Sequence, residues 1–583
     1  MKKIINDPLT VVREMCAGIV EAHPELTMDT KYKVIHKKQL NKSKVTLISG
    51  GGSGHEPAHA GFVGKGMLDA AVCGDVFASP SQIQVYKAIQ QTASDAGTLL
   101  IIKNYSGDIM NFRNAAFLAQ EDGINVDYVK VDDDIAVKDS LYTVGRRGVA
   151  GTVFVHKIAG AAAEAGKSLP EVKAIAEKAA ANVKSIGFAF TSCTVPAKGT
   201  PTFDIGEGEM EYGVGIHGEP GIRREAVATA NELASRMVES LSQELELKGQ
   251  ERIAVLVNGF GATPLMELYL FNHAVTKELA KKGVTIARVF VGNYMTSIDM
   301  AGASLSILKL DEELEGYLNA SSDAPAFKVS GPVAAAETVN VDQTIQEVEA
   351  NYGIETPADY AVVGDALTLE NVMYMVDAMC ESSIRNEVPF CELDSHAGDG
   401  DFGMSIAKGF RQLKAEWKDI IAAENLDIAS FLNACSLVIM EYCGGASGPI
   451  WGSAFRAAAR SARGKAALSV SDFAELMQAA VSGIQATGER SFGRGAVVGD
   501  KTLIDALVPC ADSWTESAKN GKSLKDAFAA GAEAAMAGAK STEKIAARMG
   551  RAGTVGERSI GWADAGAYGL AVIFGDVSNG LKY

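Results

Sequence analysis

No two of the eight cysteines form a CxxC pair; they fall singly at 16, 73, 193, 380, 391, 435, 443 and 510. This spacing argues against a disulfide framework or a cysteine zinc site, and is that of buried, reduced thiols in a cytoplasmic protein. Positive charge is also short, 55 Lys and Arg against 72 Asp and Glu, for a net charge of −17. A nucleic-acid partner is therefore not expected, although a local basic cleft can still hold a nucleotide. Proline is sparse at 15 residues, while 47% of the chain is hydrophobic and 22% charged, the balance of a folded globular protein. No uninterrupted apolar run reaches membrane-spanning length, and Met-Lys-Lys-Ile-Ile-Asn-Asp-Pro at the start has no apolar segment of the secretory kind. A soluble, cytosolic location without a membrane partner is expected.

Two nucleotide signatures are missing as well. No G-x-G-x-x-G follows a strand and opens a helix with an acidic residue downstream, so a Rossmann dinucleotide site is not supported. Ala161-Ala-Ala-Glu-Ala-Gly-Lys-Ser168 ends like a phosphate loop but has no first glycine and follows a helical pattern, and reads as a helix C-terminus.

At 583 residues the chain exceeds what one core supports, so two or more domains are expected. Up to about residue 330, short β-branched runs alternate with helical patterns. Strands are predicted at 45–49, 99–103, 126–131, 253–257 and 286–291, with helices at 81–96 and 169–185 between them. The fold class is α/β with a largely buried sheet over residues 1–330. Residues 331–360 mix small, polar and acidic side chains without period and read as a linker. From 361 to 583 the pattern becomes helical, at 367–386, 402–417, 428–442, 470–487, 501–511, 524–546 and 566–574, which predicts an all-α bundle or barrel.

In the first half, chemistry-bearing residues stand at glycine turns after strands, where open α/β sheets bind ligands. Ser49-Gly-Gly-Gly-Ser-Gly-His-Glu-Pro57 lets backbone N–H groups approach a small polar ligand and places His55 beside it; the alternative is a tight turn with a structural histidine. Lys103-Asn-Tyr-Ser-Gly-Asp108 sets a cation and a carboxylate five positions apart, an acid/base group with its charge partner or a surface ion pair. Gly213-Val-Gly-Ile-His-Gly-Glu-Pro220 puts His217 between glycines with no apolar surface requiring it, so a nucleophile, base or ligand role is plausible beside simple hydrogen bonding to turn carbonyls.

The second half is organised around Cys391-Glu-Leu-Asp-Ser-His-Ala-Gly-Asp-Gly-Asp-Phe-Gly403. Asp394, Asp399 and Asp401 converge only if something positive lies between them, and carboxylates suit Mg²⁺ or Ca²⁺. The spacing fails the EF-hand pattern, which leaves a phosphoryl-transfer metal site or a solvated acidic turn. Three other loops supply what a nucleotide needs. Gly444-Gly-Ala-Ser-Gly-Pro449 can open a helix whose amides face a phosphate. Arg494-Gly-Ala-Val-Val-Gly-Asp-Lys-Thr502 and Arg551-Ala-Gly-Thr-Val-Gly-Glu-Arg-Ser559, with Ala563-Asp-Ala-Gly566 after it, bring Lys501 and Arg551 as cations for phosphate charge.

Ile48–His59, Ala71-Val-Cys-Gly-Asp-Val-Phe-Ala-Ser-Pro80, Lys103-Asn-Tyr-Ser-Gly-Asp108, Gly215-Ile-His-Gly-Glu-Pro220, Gly398-Asp-Gly-Asp401 and Gly499-Asp-Lys-Thr502 closely resemble the motifs of the single-chain, ATP-dependent dihydroxyacetone (glycerone) kinases, over both domains. The resemblance implies an α/β ketose-binding domain and an all-α helical barrel for the nucleotide. It implies that a ring nitrogen of His217 holds the ketose as a covalent hemiaminal, that Asp108 accepts the proton of the attacking hydroxyl and that His55 binds and assists. Gly52, Ser53, Gly54 and Lys103 complete the implied ketose pocket. Asp394, Asp399 and Asp401 match the ligands of two Mg²⁺ ions bridging the ATP phosphates. ATP contacts are implied at Gly403, Met404, Ser405, Ala446, Ser447, Gly495, Asp500, Lys501, Arg551, Asp564 and Gly566.

A homodimer is likewise implied by similarity. Phe402, Ala565 and the 494–500 loop depart from the family pattern, all on the nucleotide side. The substrate implied is dihydroxyacetone, with erythrulose or D-glyceraldehyde as near alternatives. A version recharged by a phosphohistidine carrier and a silent ketose-binding regulator are the further readings. The regulator is disfavoured because the three aspartates are present.

Overall fold

The computed structural model describes residues 2–138, 145–341, 352–549, 553 and 556–583. The chain divides into two compact units, Met1–Val341 and Asp342–Tyr583. Part of the stretch expected as a linker, residues 342–351, lies outside the described residues. No described helix is long and apolar enough to cross a membrane.

The first unit carries two six-stranded sheets. After α1 (Val11–Ala22), the first sheet is built from β1 (Leu26–Asp29), β2 (Val34–Lys37), β3 (Thr46–Ser53), β4 (Ala70–Val76), β5 (Thr98–Lys103) and β6 (Val126–Val131), in the order β1-β2-β4-β3-β5-β6. The four strands β4, β3, β5 and β6 run parallel, and β1 and β2 add an antiparallel edge. Helices α2 (Gln82–Thr92) and α3 (Ser106–Glu121) bury one face of this sheet, while α4 (Thr152–Glu164) and α5 (Leu169–Asn182) lie on the core of the other. With both faces covered, all eight residues of β3 and all six of β5 are buried, hence the apolar run Leu99–Ile102 in β5.

The second sheet comprises β7 (Val183–Ala189), β8 (Glu209–Tyr212), β9 (Arg223–Ala226), β10 (Arg252–Gly259), β11 (Thr285–Gly292) and β12 (Gly302–Leu310), in the order β11-β10-β12-β7-β8-β9. Only β10 and β11 pair in parallel. α6 (Ala230–Glu244) and α7 (Leu265–Lys281) pack one face. On the other, α4 and residues of both sheets share one core; every residue from Thr152 to Ala163 is buried, including His156 and Lys157. A short helix α8 (Glu312–Asn319) and the hairpin β13 (Ser322–Ala324) and β14 (Phe327–Val329) finish the unit.

The α/β expectation holds, and the five predicted strands are present, each within a residue or a few of its expected bounds. The pattern hid others. β4 reads Ala-Ala-Val-Cys-Gly-Asp-Val, whose small residues carry little strand preference on their own. The helix expected over 169–185 ends at Asn182, where the chain turns at once into β7. The mainly antiparallel second sheet replaces the single buried sheet expected.

The second unit has no strand among the described residues. Its helices are α9 (Leu369–Arg385), α10 (Glu387–Asp394), α11 (Phe402–Ala415), α12 (Trp417–Ile421), α13 (Ile428–Tyr442), α14 (Ser447–Ser461), α15 (Val470–Phe492), α16 (Ile504–Lys519), α17 (Leu524–Ser541) and α18 (Ala565–Gly580). Thr368, Asp427 and Ser469 accept backbone N–H groups at the starts of α9, α13 and α15, which sets where those helices begin. Packing runs α13, α14, α15, α16, α17, α18, α9, α11 and back to α13, a closed ring that is the expected barrel. Its apolar stripes meet inside around a cavity of about 120 Å³ lined only by apolar side chains such as Met375, Leu476 and Phe574. α10 lies where no helix was predicted, whereas α14 starts at Ser447 within the glycine-rich segment 444–449 that was expected to open a helix.

Candidate active site

Two clusters emerge, one in each unit. In the first, the carboxyl ends of β3 and β5 deliver the glycine turn and Lys103, and Asp108 follows in the first turn of α3. Lys103 and Asp108 are 0% and 4% exposed and pair at 3.4 Å, so the surface ion pair is excluded. The glycine turn stands directly against them. A Cβ added at Gly51, where φ is +156°, would lie 2.6 Å from Lys103 Nζ. Gly52 packs as closely on the backbone of Phe77 and Ala78. Two expected ligand donors are already engaged, since Ser53 Oγ donates to the Gly74 carbonyl and the Gly54 N–H donates to the Glu56 carboxylate.

His55 and His217, 162 positions apart, meet with their Nε2 atoms 3.2 Å apart. His55 Nδ1 lies 2.9 Å from the Thr296 carbonyl, which accepts its proton and leaves Nε2 of a neutral ring as an acceptor. His217 does have apolar surroundings after all. The ring of Tyr105 stands edge-on at 4.5 Å, and those of His55 and Phe77 at 4.8 and 5.3 Å. His217 Nδ1 is buried with no hydrogen-bond partner.

Burial, with the cations of Lys103 and Arg147 nearby, pushes His217 down to about 3. Burial also lowers His55 well below its usual range, with help from the His217 and Lys103 charges. Both imidazoles are therefore neutral at physiological pH, the state in which a ring nitrogen is a nucleophile or base.

The His217 loop is held by residues that the sequence pattern did not single out. Glu219 accepts the backbone N–H of His217 at 2.8 Å and pairs with Arg147 at 3.0 Å. Arg147 is 2% exposed and bonds Asp134 and the Gly213 carbonyl as well. Glu219 was within the quoted motif and readable as a carboxylate beside the histidine. Phe77 likewise lay within a quoted motif, whereas Arg147 and Thr296 carried no local signal, because their roles arise from contacts across the sequence.

In the second unit, Asp394 closes α10, Asp401 opens α11, and Asp399 stands in the turn between them. One carboxylate oxygen from each lies within 4.8 Å of the others, a set of hard oxygen donors that fits a divalent cation. Asp394 accepts the N–H of Asp401 at 3.1 Å, and burial pushes its carboxyl up, with the charges of Asp399 and Asp401 adding to this. A Cβ at Gly398 would lie 2.2 Å from Asp394 Oδ1, so a side chain there would push the Asp394 carboxylate out of its place. His396 stacks on Trp562 beside the aspartates, ring centroids 3.6 Å apart, a contact not foreseen.

The aspartates share an open cleft of about 200 Å³ with Ser405, Ala446, Ser447, Lys501, Asp564 and Gly566. Burial lifts Asp564 to about 7. The N-terminus of α14 at Ser447 reaches this cleft, as expected for amides that face an anion. Other expected nucleotide residues lie off the cleft lining. Gly403 packs on the Glu387 carbonyl, Gly495 on Gln485, and the Met404 N–H donates to Cys391 Sγ. Asp500 is 3% exposed and bound by Arg494. Lys501 reaches the cleft, but its ammonium is surrounded by backbone carbonyls rather than open to an anion. Arg551 lies outside the described residues.

The Dak1 domain model matches residues 17–326 and the DAK2 domain model residues 396–579. The N-terminal half is 54% identical over 314 residues to the dihydroxyacetone-binding subunit DhaK of a PTS-dependent dihydroxyacetone kinase from Listeria innocua, covering 54% of this chain and 95% of that protein. Over nearly the whole length, the chain is 35% identical to a D-erythrulose kinase of Mycolicibacterium smegmatis, covering 98% of this chain and 97% of that one. The crystal structure of the dihydroxyacetone kinase from C. freundii in complex with AMP-PNP and Mg²⁺ matches at 31% identity with a TM-score of 0.61, covering 99% of each chain.

Proposed function

The chain belongs to the dihydroxyacetone kinase family, with a Dak1 and a DAK2 domain in one polypeptide, and from that premise we propose that it transfers the γ-phosphate of ATP to a terminal hydroxyl of dihydroxyacetone. The observation that carries the reading is the pair of neutral, buried imidazoles at 3.2 Å beside the Lys103–Asp108 pair. A neutral His217 adds a ring nitrogen to the substrate carbonyl carbon. The imidazole gives up its ring proton to His55, the adjacent acceptor, and His55 passes that proton on to the carbonyl oxygen, which becomes a hydroxyl. Glycerol is refused because its carbons cannot accept a nucleophile. Asp108 takes the proton of the terminal hydroxyl as it attacks phosphorus, and Lys103 holds that carboxylate in place.

In the second unit, Asp394, Asp399 and Asp401 would hold Mg²⁺, and the amides at the start of α14 would meet phosphate oxygens. The chemistry that Mg²⁺ would supply there is neutralisation of phosphate charge during transfer. A cytoplasmic location and a homodimer belong to this proposal as what the family resemblance implies.

Dihydroxyacetone is preferred over a four-carbon ketose because the half that holds the pocket is 54% identical to a dihydroxyacetone-binding subunit. The D-erythrulose kinase relative makes erythrulose the second reading. Measuring kcat/KM for dihydroxyacetone, erythrulose and D-glyceraldehyde with purified protein, ATP and Mg²⁺ decides between them. The highest value is expected for dihydroxyacetone, and negligible turnover of it beside another ketose overturns the choice. Activity with ATP alone, without a phosphohistidine carrier, is expected in the same assay.

A pH profile tests the imidazole chemistry separately. His217 titrates at about 3 in the folded chain against an ordinary value of 6.5. Ketose capture should therefore show no inflection near pH 6.5, and a step there would mean a solvated, ordinary histidine. The sign for stability follows from the same shift. Between pH 6.5 and about 3 the unfolded chain binds a proton that the folded one refuses, so this contribution is complete above 6.5 and lost as pH falls.

A further inference from the structure

Lys501 stands in the turn before α16 with a left-handed backbone, φ +63°, and is 1% exposed although it reaches the nucleotide cleft. Its Nζ lies 2.5 Å from the Ser559 carbonyl, 2.7 Å from Trp562, 2.8 Å from Thr542 and 3.2 Å from Ile545. An ammonium has three protons, so four carbonyl oxygens form a shell around a point charge rather than a set of one-to-one hydrogen bonds. Carbonyl oxygens turned toward one centre repel one another unless a cation replaces water among them, as in the filters that hold K⁺.

We propose that these four carbonyls form a monovalent-cation site that the chain fills with its own lysine, which makes Lys501 a positioning residue for the nucleotide cleft. The inference rests on the kinase reading of that cleft. The geometry shows what the site holds together. Its oxygens come from Thr542 and Ile545 just past the end of α17, from the turn at Ser559 and from Trp562. Trp562 precedes by two positions Asp564, whose N–H donates to Thr542 Oγ1 at 2.8 Å. One ammonium and one hydroxyl thus join Thr542 to both ends of the 562–564 turn, and Ala563, Asp564, Ala565 and Gly566 line the cleft beside the aspartates. With its positive charge enclosed by oxygens, Lys501 acts on the phosphates through this wall. A lysine that merely fills space would give the same burial but would not be replaceable by a free ion.

The test uses the full chain carrying Lys501→Ala, assayed with choline as the sole monovalent cation and then with NH₄⁺ or K⁺ added. The wild type should be indifferent to the choice of ion. In choline the variant's KM for ATP should rise at least about tenfold while ketose capture is unchanged, and NH₄⁺ should restore both the ATP KM and the Tm by occupying the vacated shell. Lys501→Met, whose stem fills the same channel, should lose as much and gain nothing from added ions. An Ala variant with a wild-type ATP KM, or one whose loss no monovalent cation corrects, overturns the proposal. If that variant is unfolded in choline, the Tm in NH₄⁺ against choline decides, and no gain is a negative result. Failure of the kinase reading shows differently, as a wild type without ATP-dependent turnover, and leaves the Tm comparison able to decide the cation site.

Discussion

Turnover with ATP is expected to fall at least about 10³-fold in the Asp401→Ala protein, because several kcal/mol of transition-state charge stabilisation by the bound cation is lost and each 1.36 kcal/mol is tenfold in rate. Ketose binding in the first unit should persist, since His55, His217, Lys103 and Asp108 belong to a separate core. The substitution is informative because it spares the local backbone. Asp394 accepts the main-chain N–H of Asp401, not its side chain, so the junction between α10 and α11 keeps that bond. What disappears is one of three carboxylates whose oxygens lie within 4.8 Å of each other. Steady-state kinetics across a Mg²⁺ titration measures the effect. Turnover within tenfold of wild type at saturating Mg²⁺ would remove the metal assignment and favour the solvated acidic turn.

A loss of similar size, about 10³-fold in kcat/KM for the ketose, is expected for His217→Ala, which removes the proposed nucleophile and with it the fixed position of the substrate hydroxyl. The variant should also lose its preference for dihydroxyacetone over glycerol, because the preference is set by the carbonyl addition. His55 keeps its bond to the Thr296 carbonyl in the absence of His217, so its contribution remains in place. Carbon-13 NMR of dihydroxyacetone labelled at the carbonyl reads the adduct directly. Wild type should convert that carbon to a tetrahedral one, and the variant should not. An adduct signal that survives the substitution would assign the chemistry to another group, and unchanged glycerol exclusion would make the pocket's shape, not covalent capture, the source of selectivity.

Legibility in the sequence differed between the two clusters for a physical reason. Asp394, Asp399 and Asp401 lie within eight consecutive positions, so the chain itself brings them together and their convergence was readable as a motif. Glycine-rich turns after apolar runs were equally plain, since backbone conformation at Gly51 follows from the absence of a side chain. Lys501 was read as a cation for phosphate because its charge is visible in the sequence. The four carbonyls that enclose it are not, being main-chain groups contributed from 41 to 61 positions away. The small-residue strand β4 and the mainly antiparallel second sheet were missed for a related reason, as their partners, not their own residues, make them strands.

From its residues alone, this chain determined an α/β half followed by a helical half, the apolar run of β5, and the spacing that groups three carboxylates, all of which depend on side-chain type and on neighbours within a few positions. Only the tertiary structure decided that His55 faces His217, that Arg147 and Glu219 grip the loop between them, and that Lys501 points into oxygens. Such contacts join segments tens to hundreds of positions apart, and the burial that sets the charge state of His55 and His217 exists only after those segments have packed.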